Sequence, residues 1–294
     1  MSPDPFAVAG EGGAAADPPG PPPDGGPGRS GGLRLAGGAA SILMWLAVRV
    51  YPLALIFVVW HQFAAHNVLG GPFVMPRPGR VWDRGRVLVE DGILQSQAGV
   101  TLQRVLIAYV LALAVGITVG ILVGRVRLIR LALRPLVSFF FPTPKVALYP
   151  AMIIIFGLGS ASKIAFGFAE ALFPVLLATA AATSQVEPRL LWSASALGTS
   201  QSKAFVKVVL PAALPAILTG ARIALVGSLI GVFLGEMIAG SDGLGHMMAV
   251  AYRVLNTADM YVAIVTVSLI GFALDRTFLF IRSRLLAWSP EEAT

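Results

Sequence analysis

The sequence contains six runs of predominantly apolar residues, each long enough to cross a lipid bilayer as an α-helix. An α-helix rises about 1.5 Å per residue, so roughly 20 residues cross a hydrocarbon core of about 30 Å. Helices are expected here because lipid offers no hydrogen-bond partners to the backbone. The runs span residues 42–65, 101–124, 134–157, 161–184, 212–239 and 259–284. The chain is therefore predicted to be an all-α membrane protein with six transmembrane helices.

The charged residues agree with this class and predict an orientation. They form only 13% of the chain, whereas apolar residues form 56%, more than a soluble domain readily buries. The net charge of +7 does not indicate nucleic-acid binding, because the basic residues punctuate the apolar runs and do not cluster with aromatics on one face. Most of the basic residues fall on the side of the two termini, which predicts that both termini are cytoplasmic.

The apolar runs also divide the chain into regions. Residues 1–38, rich in Gly, Pro and Ala, are predicted to form a disordered cytoplasmic tail. Residues 39–289 form the predicted transmembrane domain, and residues 290–294 form a short C-terminal tail. The chain has no cysteine, and its three histidines lack metal-ligand spacing. Because no nucleophile, base and orienting group form a recognisable set, we expect no catalysis, metal or cofactor in this chain.

The polar stretch between the fourth and fifth runs, residues 185–211, is predicted to be a helix, a glycine elbow and a second helix at the membrane surface. Pro188 suits the first helical position, and Gly198 suits the left-handed residue that ends a helix. Thr199 or Ser200 can cap the second helix. The apolar faces of the two helices comprise Leu190, Leu191, Ala194 and Leu197, and then Ala204, Phe205, Val208 and Val209. This pattern also fits a hairpin that merely joins two spans.

Several motifs in a fixed order give the chain a specific resemblance to a known family. They are PTPKVALYPAMIIIFGLG, EPRLL, LPAALPAILTG, GEMIAGSDGLG and LDRTFLFIRSRLLAW. Gly198 followed twelve residues later by Leu210-Pro211 resembles the cytoplasmic signature loop of binding-protein-dependent ABC transporter permeases. The chain is most similar to the nitrate, sulfonate and taurine branch, over about residues 42–288. The resemblance implies the six-helix type I importer permease fold.

The resemblance also implies partners and a function. A permease of this family forms the solute pathway as a dimer, here expected to be a homodimer, in a bacterial cell membrane. Separate ABC ATPase subunits bind ATP and magnesium, and an extracytoplasmic binding protein delivers the solute. The sequence agrees in lacking a phosphate-binding G-x-x-x-x-G-K-[ST] loop. The expected solute is a small organic anion or related compound, with a vitamin or pyrimidine precursor as the alternative.

The signature loop departs from the family pattern at one point. Trp192-Ser193-Ala194 stands where the family has Glu-Ala-Ala, so we expect the first contact with the ATPase to be apolar or aromatic and not ionic. The residues predicted to form the ATPase-coupling loop, within 187–211, are Trp192, Ala194, Leu197, Gly198, Phe205, Leu210 and Pro211.

Charged residues inside the apolar runs are candidates for the solute pathway. Glu170 lies near the middle of the fourth run, where an unpaired charge costs about 2.5–3.5 kcal/mol, so it either contacts solute or pairs with another helix. Arg222 is the expected opposite charge, although it is placed about 10 Å nearer the cytoplasm. Asp275 is predicted to form a structural tie, while Glu236 and Asp242 flank a turn that could act as a gate or only end a helix.

A protein of a different class remains as the alternative. Glu170, Asp275 and the proline-broken third run would also suit a self-contained secondary transporter or a membrane-embedded enzyme. Such a carrier usually contains an internal inverted repeat, which is not visible in the sequence. It also needs no loop that docks an ATPase.

Overall fold

The computed structural model describes residues 51–52, 54–66 and 74–288, and within these ranges the chain is helical and has no β-strand. Most of the first apolar run and both predicted tails, 1–38 and 290–294, lie outside the described residues. The chain divides into two units, Met1–Phe57 and Val58–Thr294, and the helices from Pro78 onward belong to the second. The α-helices are α1 (Ala54–Ala65), α2 (Pro78–Glu90), α3 (Ile93–Arg125), α4 (Arg127–Phe140), α5 (Tyr149–Phe156), α6 (Ser160–Ser184), α7 (Pro188–Ala196), α8 (Gln201–Ala204), α9 (Leu210–Ala239), α10 (Leu244–Arg253) and α11 (Thr257–Leu285).

Four helical stretches in the described part of the chain are long and apolar enough to cross a membrane. They are α3, α6, the stretch Gln201–Ala239 that ends with α9, and α11. They match the second, fourth, fifth and sixth apolar runs. The prediction of six spans stays a prediction, because the first run begins in residues that the structure does not describe.

The third apolar run forms two helices and not one straight span. Helix α4 and the segment Lys145–Phe156, a short 3₁₀ helix followed by α5, are bent by 92° relative to each other. Pro142 and Pro144 lie in the break, where their missing N–H groups prevent a continuous helix. Irregular backbone is tolerated at membrane depth only where protein covers it or where it lines a water-filled cavity. The break is therefore expected to be covered by other parts of the protein or to line a water-filled cavity.

Helices α3, α6 and α9 form the centre of the fold through close backbone contacts. A Cβ atom added to Gly120 of α3 would lie 2.6 Å from the Cβ of Thr179 in α6. A Cβ atom on Gly231 of α9 would lie 2.8 Å from the Cα of Gly167 in α6. Small residues allow membrane helices to approach closely, and packing replaces the hydrophobic effect as their source of cohesion.

The contacts also define two ends of the bundle. The N-terminal parts of α3 and α6 meet at Arg104 and Ser160, and their C-terminal parts meet at Gly124 and Thr183, so the two helices are parallel. Helix α9 runs in the opposite direction, because its last turns reach Arg104 through Glu236. We call these ends the Ser160 end and the Thr183 end. The loop 187–211 follows α6 at the Thr183 end.

Candidate coupling loop and charge sites within the bundle

The predicted coupling loop contains a sharply turned elbow at Gly198. Helix α7 begins at Pro188, and Gly198 has a φ of 72°, in the left-handed region. The N–H of Thr199 donates to the carbonyl of Ala194 at 3.0 Å, and the N–H of Gly198 donates to that of Ser195 at 2.9 Å. These two hydrogen bonds form the Schellman motif that ends many helices. The left-handed glycine predicted from the sequence is therefore confirmed.

The second helix of the loop, predicted to lie at the membrane surface, leads directly into a membrane-spanning helix. It is continuous with the fifth apolar run, because α8, a π-helical turn at Phe205–Val209 and α9 form one helical stretch, Gln201–Ala239. Pro211 cannot donate a hydrogen bond to the carbonyl of Lys207, and the wider π-helical turn lies where that bond is missing. Movement of this part of the loop is thereby linked directly to a membrane-spanning helix.

The side chains of the loop divide into packed and exposed groups. Ala194, Ala204 and Val209 are buried, and Phe205, Leu210 and Pro211 are half-buried. In contrast, Trp192 is 70% exposed and Leu197 is 85% exposed. Of the predicted apolar face of α7, Ala194 is packed within the chain, whereas Leu197, at the end of the helix, projects outward. The elbow presents two large apolar side chains to its surroundings.

A saturated polar network joins four segments at the Ser160 end, and we call it the Arg104 network. The Arg104 guanidinium donates to Glu236 at 2.9 Å, to the side chain of Asp242 at 2.5 Å and to the hydroxyl of Ser160 at 2.9 Å. Glu236 is fully buried, and its carboxylate also accepts from the hydroxyl of Thr101 at 2.8 Å and from the N–H of Gly245 at 3.1 Å. The network thus ties α3, α6, α9 and the turn before α10 together.

Gly243 lets the turn before α10 close over this network. Its φ is 95°, and an added Cβ atom would lie 2.3 Å from the carboxylate carbon of Glu236. Its N–H donates to the side chain of Gln97. In the sequence, a glycine at this position is equally compatible with simple helix termination, and no local motif marks Arg104. Arg104 could have been identified as important because it is a basic residue within the second apolar run, and charged residues inside membrane spans usually pair with another charge or have a function.

A second pair of charges lies deeper in the bundle, and we call it the open pair. The Lys145 ammonium, at the start of the short helix after the break, lies 3.7 Å from the carboxylate of Glu170 in α6. The same ammonium lies 5.5 Å from the centre of the Phe173 ring, and that ring contacts Phe141. Lys145 and Glu170 retain 13% and 27% of their side-chain exposure. The structure thus pairs Glu170 with a residue that the sequence reasoning had not considered.

The expected pairing of Glu170 with Arg222 is wrong. Arg222 donates two hydrogen bonds to Asp275 of α11, at 2.7 and 3.0 Å. Helix arithmetic gave the depth of Arg222 along its span, but the side of α9 from which the residue projects decides its partner. The prediction that Asp275 forms a structural tie is confirmed by this paired geometry, which joins α9 to α11.

A further ion pair fixes α2 against the start of α11. Arg84 donates to the two carboxylate oxygens of Asp259 at 2.5 and 3.0 Å. This hydrogen bonding, together with the attraction of the carboxylate, raises the pKa of Arg84 above its already high ordinary value. Val81, Leu88 and Val262 pack beside the pair. The short helix α2 is therefore held against the long apolar helix by both charge and packing.

Comparisons of the sequence with known proteins identify the family and several relatives of the chain. The sequence profile of the family described as binding-protein-dependent transport system inner membrane component matches residues 116–286. A probable ABC transporter permease protein of Brucella melitensis is 33% identical over 74% of this chain and 89% of its own length. The taurine transport system permease protein of Escherichia coli is 31% identical, over 81% of this chain and 88% of its own. The nitrate import permease protein of Leptolyngbya laminosa is 32% identical, over 67% and 69%.

The parallel and antiparallel packing of long apolar helices, with charges paired inside the bundle, defines a multi-pass α-helical membrane protein. The family match over residues 116–286 narrows the class to a transport protein with a type I permease fold. The chain belongs to the binding-protein-dependent transport system inner membrane component family, as an ABC transporter permease of the nitrate, sulfonate and taurine branch.

Proposed function

We propose that this chain is the membrane subunit of an ATP-driven importer in a bacterial cell membrane. Two copies form the solute pathway, separate subunits bind ATP and magnesium, and an extracytoplasmic binding protein delivers the solute. The solute is a small organic anion or related compound of the nitrate, sulfonate or taurine type. The observation that carries this proposal is the elbow at Gly198, with Trp192 and Leu197 exposed on it.

In this proposal, residues 187–211 dock into the ATPase, and α9 transmits its movement. Exposed aromatic and aliphatic side chains are suited to fill an apolar groove on a partner, since large buried apolar groups dominate the energy of many interfaces. The helical stretch Gln201–Ala239 runs from the loop into the bundle. A rigid-body shift of the docked loop can therefore move α9 and switch the pathway between its two openings.

The test replaces the elbow glycine. Gly198→Val places a β-branched residue at a left-handed position, so we expect the elbow to open and ATPase binding to be lost while membrane insertion persists. The measurements are co-purification of the permease with its ATPase from detergent and solute-stimulated ATP hydrolysis in proteoliposomes.

A matched control is available at Gly92, which has a φ of 73° and, like Gly198, has open space around its Cα. Gly92→Val imposes the same backbone strain in a turn outside the proposed coupling loop, between α2 and α3. It should keep both ATPase binding and stimulation. If Gly198→Val retains full co-purification and solute-stimulated ATP hydrolysis, the proposed docking role is wrong.

The alternative of a self-contained secondary transporter predicts a different dependence on energy. In proteoliposomes that contain this chain alone, such a carrier would take up solute when an ion gradient is imposed, because the ion gradient supplies the energy. Our proposal predicts no uptake under those conditions and uptake only with the ATPase, ATP and binding protein present.

A further inference from the structure

The open pair lies near the middle of the membrane, beside backbone that is not helical. Glu170 is ten residues from the start of α6, about 15 Å along the axis, which is half of a hydrocarbon core of about 30 Å. Lys145 directly follows the break at Pro142 and Pro144. Ionisable residues at this depth usually face the interior of a bundle or a water-filled cavity. Both charges therefore occupy the depth and surroundings expected of a solute pathway.

The open pair is also chemically unsaturated. Its two charged groups are 3.7 Å apart, beyond hydrogen-bond distance, and within the described part of the chain neither group has a hydrogen-bond partner. An ammonium has three donors and a carboxylate has acceptor sites on both oxygens. The Phe173 ring, 5.5 Å from the ammonium, supplies only a cation–π contact. Most of the bonding capacity of this pair is therefore free for another polar molecule.

We propose that Lys145 and Glu170 together bind a zwitterionic solute, with the negative group on Lys145 and the positive group on Glu170. This inference rests on the proposed importer function and specifies its solute class. The pair is neutral as a whole, so a simple anion bound at Lys145 would leave one net negative charge at membrane depth. A zwitterion leaves no net charge and gives both side chains a partner, which matters where the dielectric constant is low.

The dimensions of the pair agree with a small zwitterion lying antiparallel beside it. In an amino sulfonate such as 2-aminoethanesulfonate, two methylene groups separate the charges, a spacing comparable with the 3.7 Å of the open pair. Opposite charges then alternate at the four corners of a square. Phe173 and Phe141 provide apolar surface at the same place for the methylene groups.

The experiment compares two probes that differ only in the positive group. The purified full-length permease in lipid nanodiscs is titrated with 2-aminoethanesulfonate and with 2-hydroxyethanesulfonate, and binding is followed by saturation-transfer NMR. We expect the amino compound to bind at least about tenfold more tightly, because the hydroxyl compound leaves the Glu170 carboxylate unpaired. Glu170→Gln should remove this preference, and Lys145→Met should weaken the binding of both probes.

The control removes a different pair of opposite charges. Arg84→Gln with Asp259→Asn neutralises the ion pair between α2 and α11 and should leave both affinities unchanged. Equal binding of the two probes by the unmodified protein, or a preference that survives in Glu170→Gln, would overturn the zwitterion proposal. Neither result affects the importer function, which is tested separately by ATPase docking at Gly198.

Discussion

The Arg104 network and the open pair both place opposite charges inside a helical bundle, yet they differ in how completely those charges are satisfied. In the network, Arg104 and Glu236 retain 5% and 0% of their side-chain exposure and make short hydrogen bonds. In the open pair, both side chains remain partly exposed and are 3.7 Å apart. The network has little capacity left for a ligand, whereas the pair has most of its capacity free.

The difference follows from where each group lies in the fold. The network closes the Ser160 end, where α3, α6 and α9 converge and the turn at Gly243 covers the carboxylate. The open pair lies beside the break between α4 and α5, where the chain supplies fewer neighbours. We therefore interpret the network as structural and the pair as functional, and this interpretation can be tested by comparing stability with solute binding.

The largest expected effect is the loss of the network's central cation. Arg104→Gln leaves Glu236 buried without its charge partner, and breaking a buried ion pair in this way costs about 3–5 kcal/mol. The measurement is the thermal unfolding of the detergent-solubilised protein, followed by intrinsic fluorescence. Melting unchanged from the parent protein would show that the network does not hold the Ser160 end together.

The second effect tests the closeness of the turn over the network. Gly243→Ala adds a methyl group that would lie 2.3 Å from the Glu236 carboxylate carbon, and such overpacking costs about 1–3 kcal/mol beyond the strain of the left-handed backbone. Gly157→Ala is the matched control, because Gly157 has φ 79° and ψ 178°, close to the 95° and 166° of Gly243, but has open space around an added Cβ atom. It should lose only the backbone contribution, about 1–3 kcal/mol. Equal losses at the two glycines would contradict the close contact with Glu236.

The third effect concerns the Arg222–Asp275 pair, whose charged groups are hydrogen-bonded to each other but partly exposed to solvent. Arg222 makes two hydrogen bonds to Asp275, although its side chain is 42% exposed. Arg222→Gln should therefore cost about 1.5–3 kcal/mol, the usual value of hydrogen bonds to charged groups and less than the loss at Arg104. The same fluorescence-detected melting checks this order. A loss at Arg222 larger than that at Arg104 would show that burial does not determine which of these two hydrogen-bonded pairs contributes more to stability.

The sequence predicted the spans well because each depends on local composition. The apolar runs correspond to α3, α6, α9 and α11, and Gly198 was identified because a left-handed residue after a helix is a local requirement. The pairings could not be predicted in the same way. Arg104 and Glu236 are 132 positions apart, and their contact depends on which sides of parallel and antiparallel helices meet.

The wrong pairing of Glu170 has the same physical origin. Helix arithmetic gives depth along an axis but not the side of the helix from which a residue projects, so Glu170 was matched with Arg222 and not with Lys145. Pro211 is also compatible with the first turn of a new helix, so the sequence alone does not show how α8 joins α9. In the structure, a π-helical turn immediately before it keeps the helix continuous.

The smallest expected effect on stability is at the open pair, and it separates the functional interpretation from a structural one. If Lys145 and Glu170 line a hydrated pathway, Glu170→Gln should change the free energy of unfolding by only about 0–1 kcal/mol, as for other solvent-accessible ion pairs. If the pair is instead sealed from water, Glu170→Gln leaves a lone ammonium at membrane depth, and the loss should approach about 2.5–3.5 kcal/mol. Thermal unfolding of Glu170→Gln beside Arg104→Gln distinguishes these cases. A stable Glu170→Gln protein with altered solute binding supports the division between the two sites, whereas an unstable one would place the open pair in the same structural class as the Arg104 network.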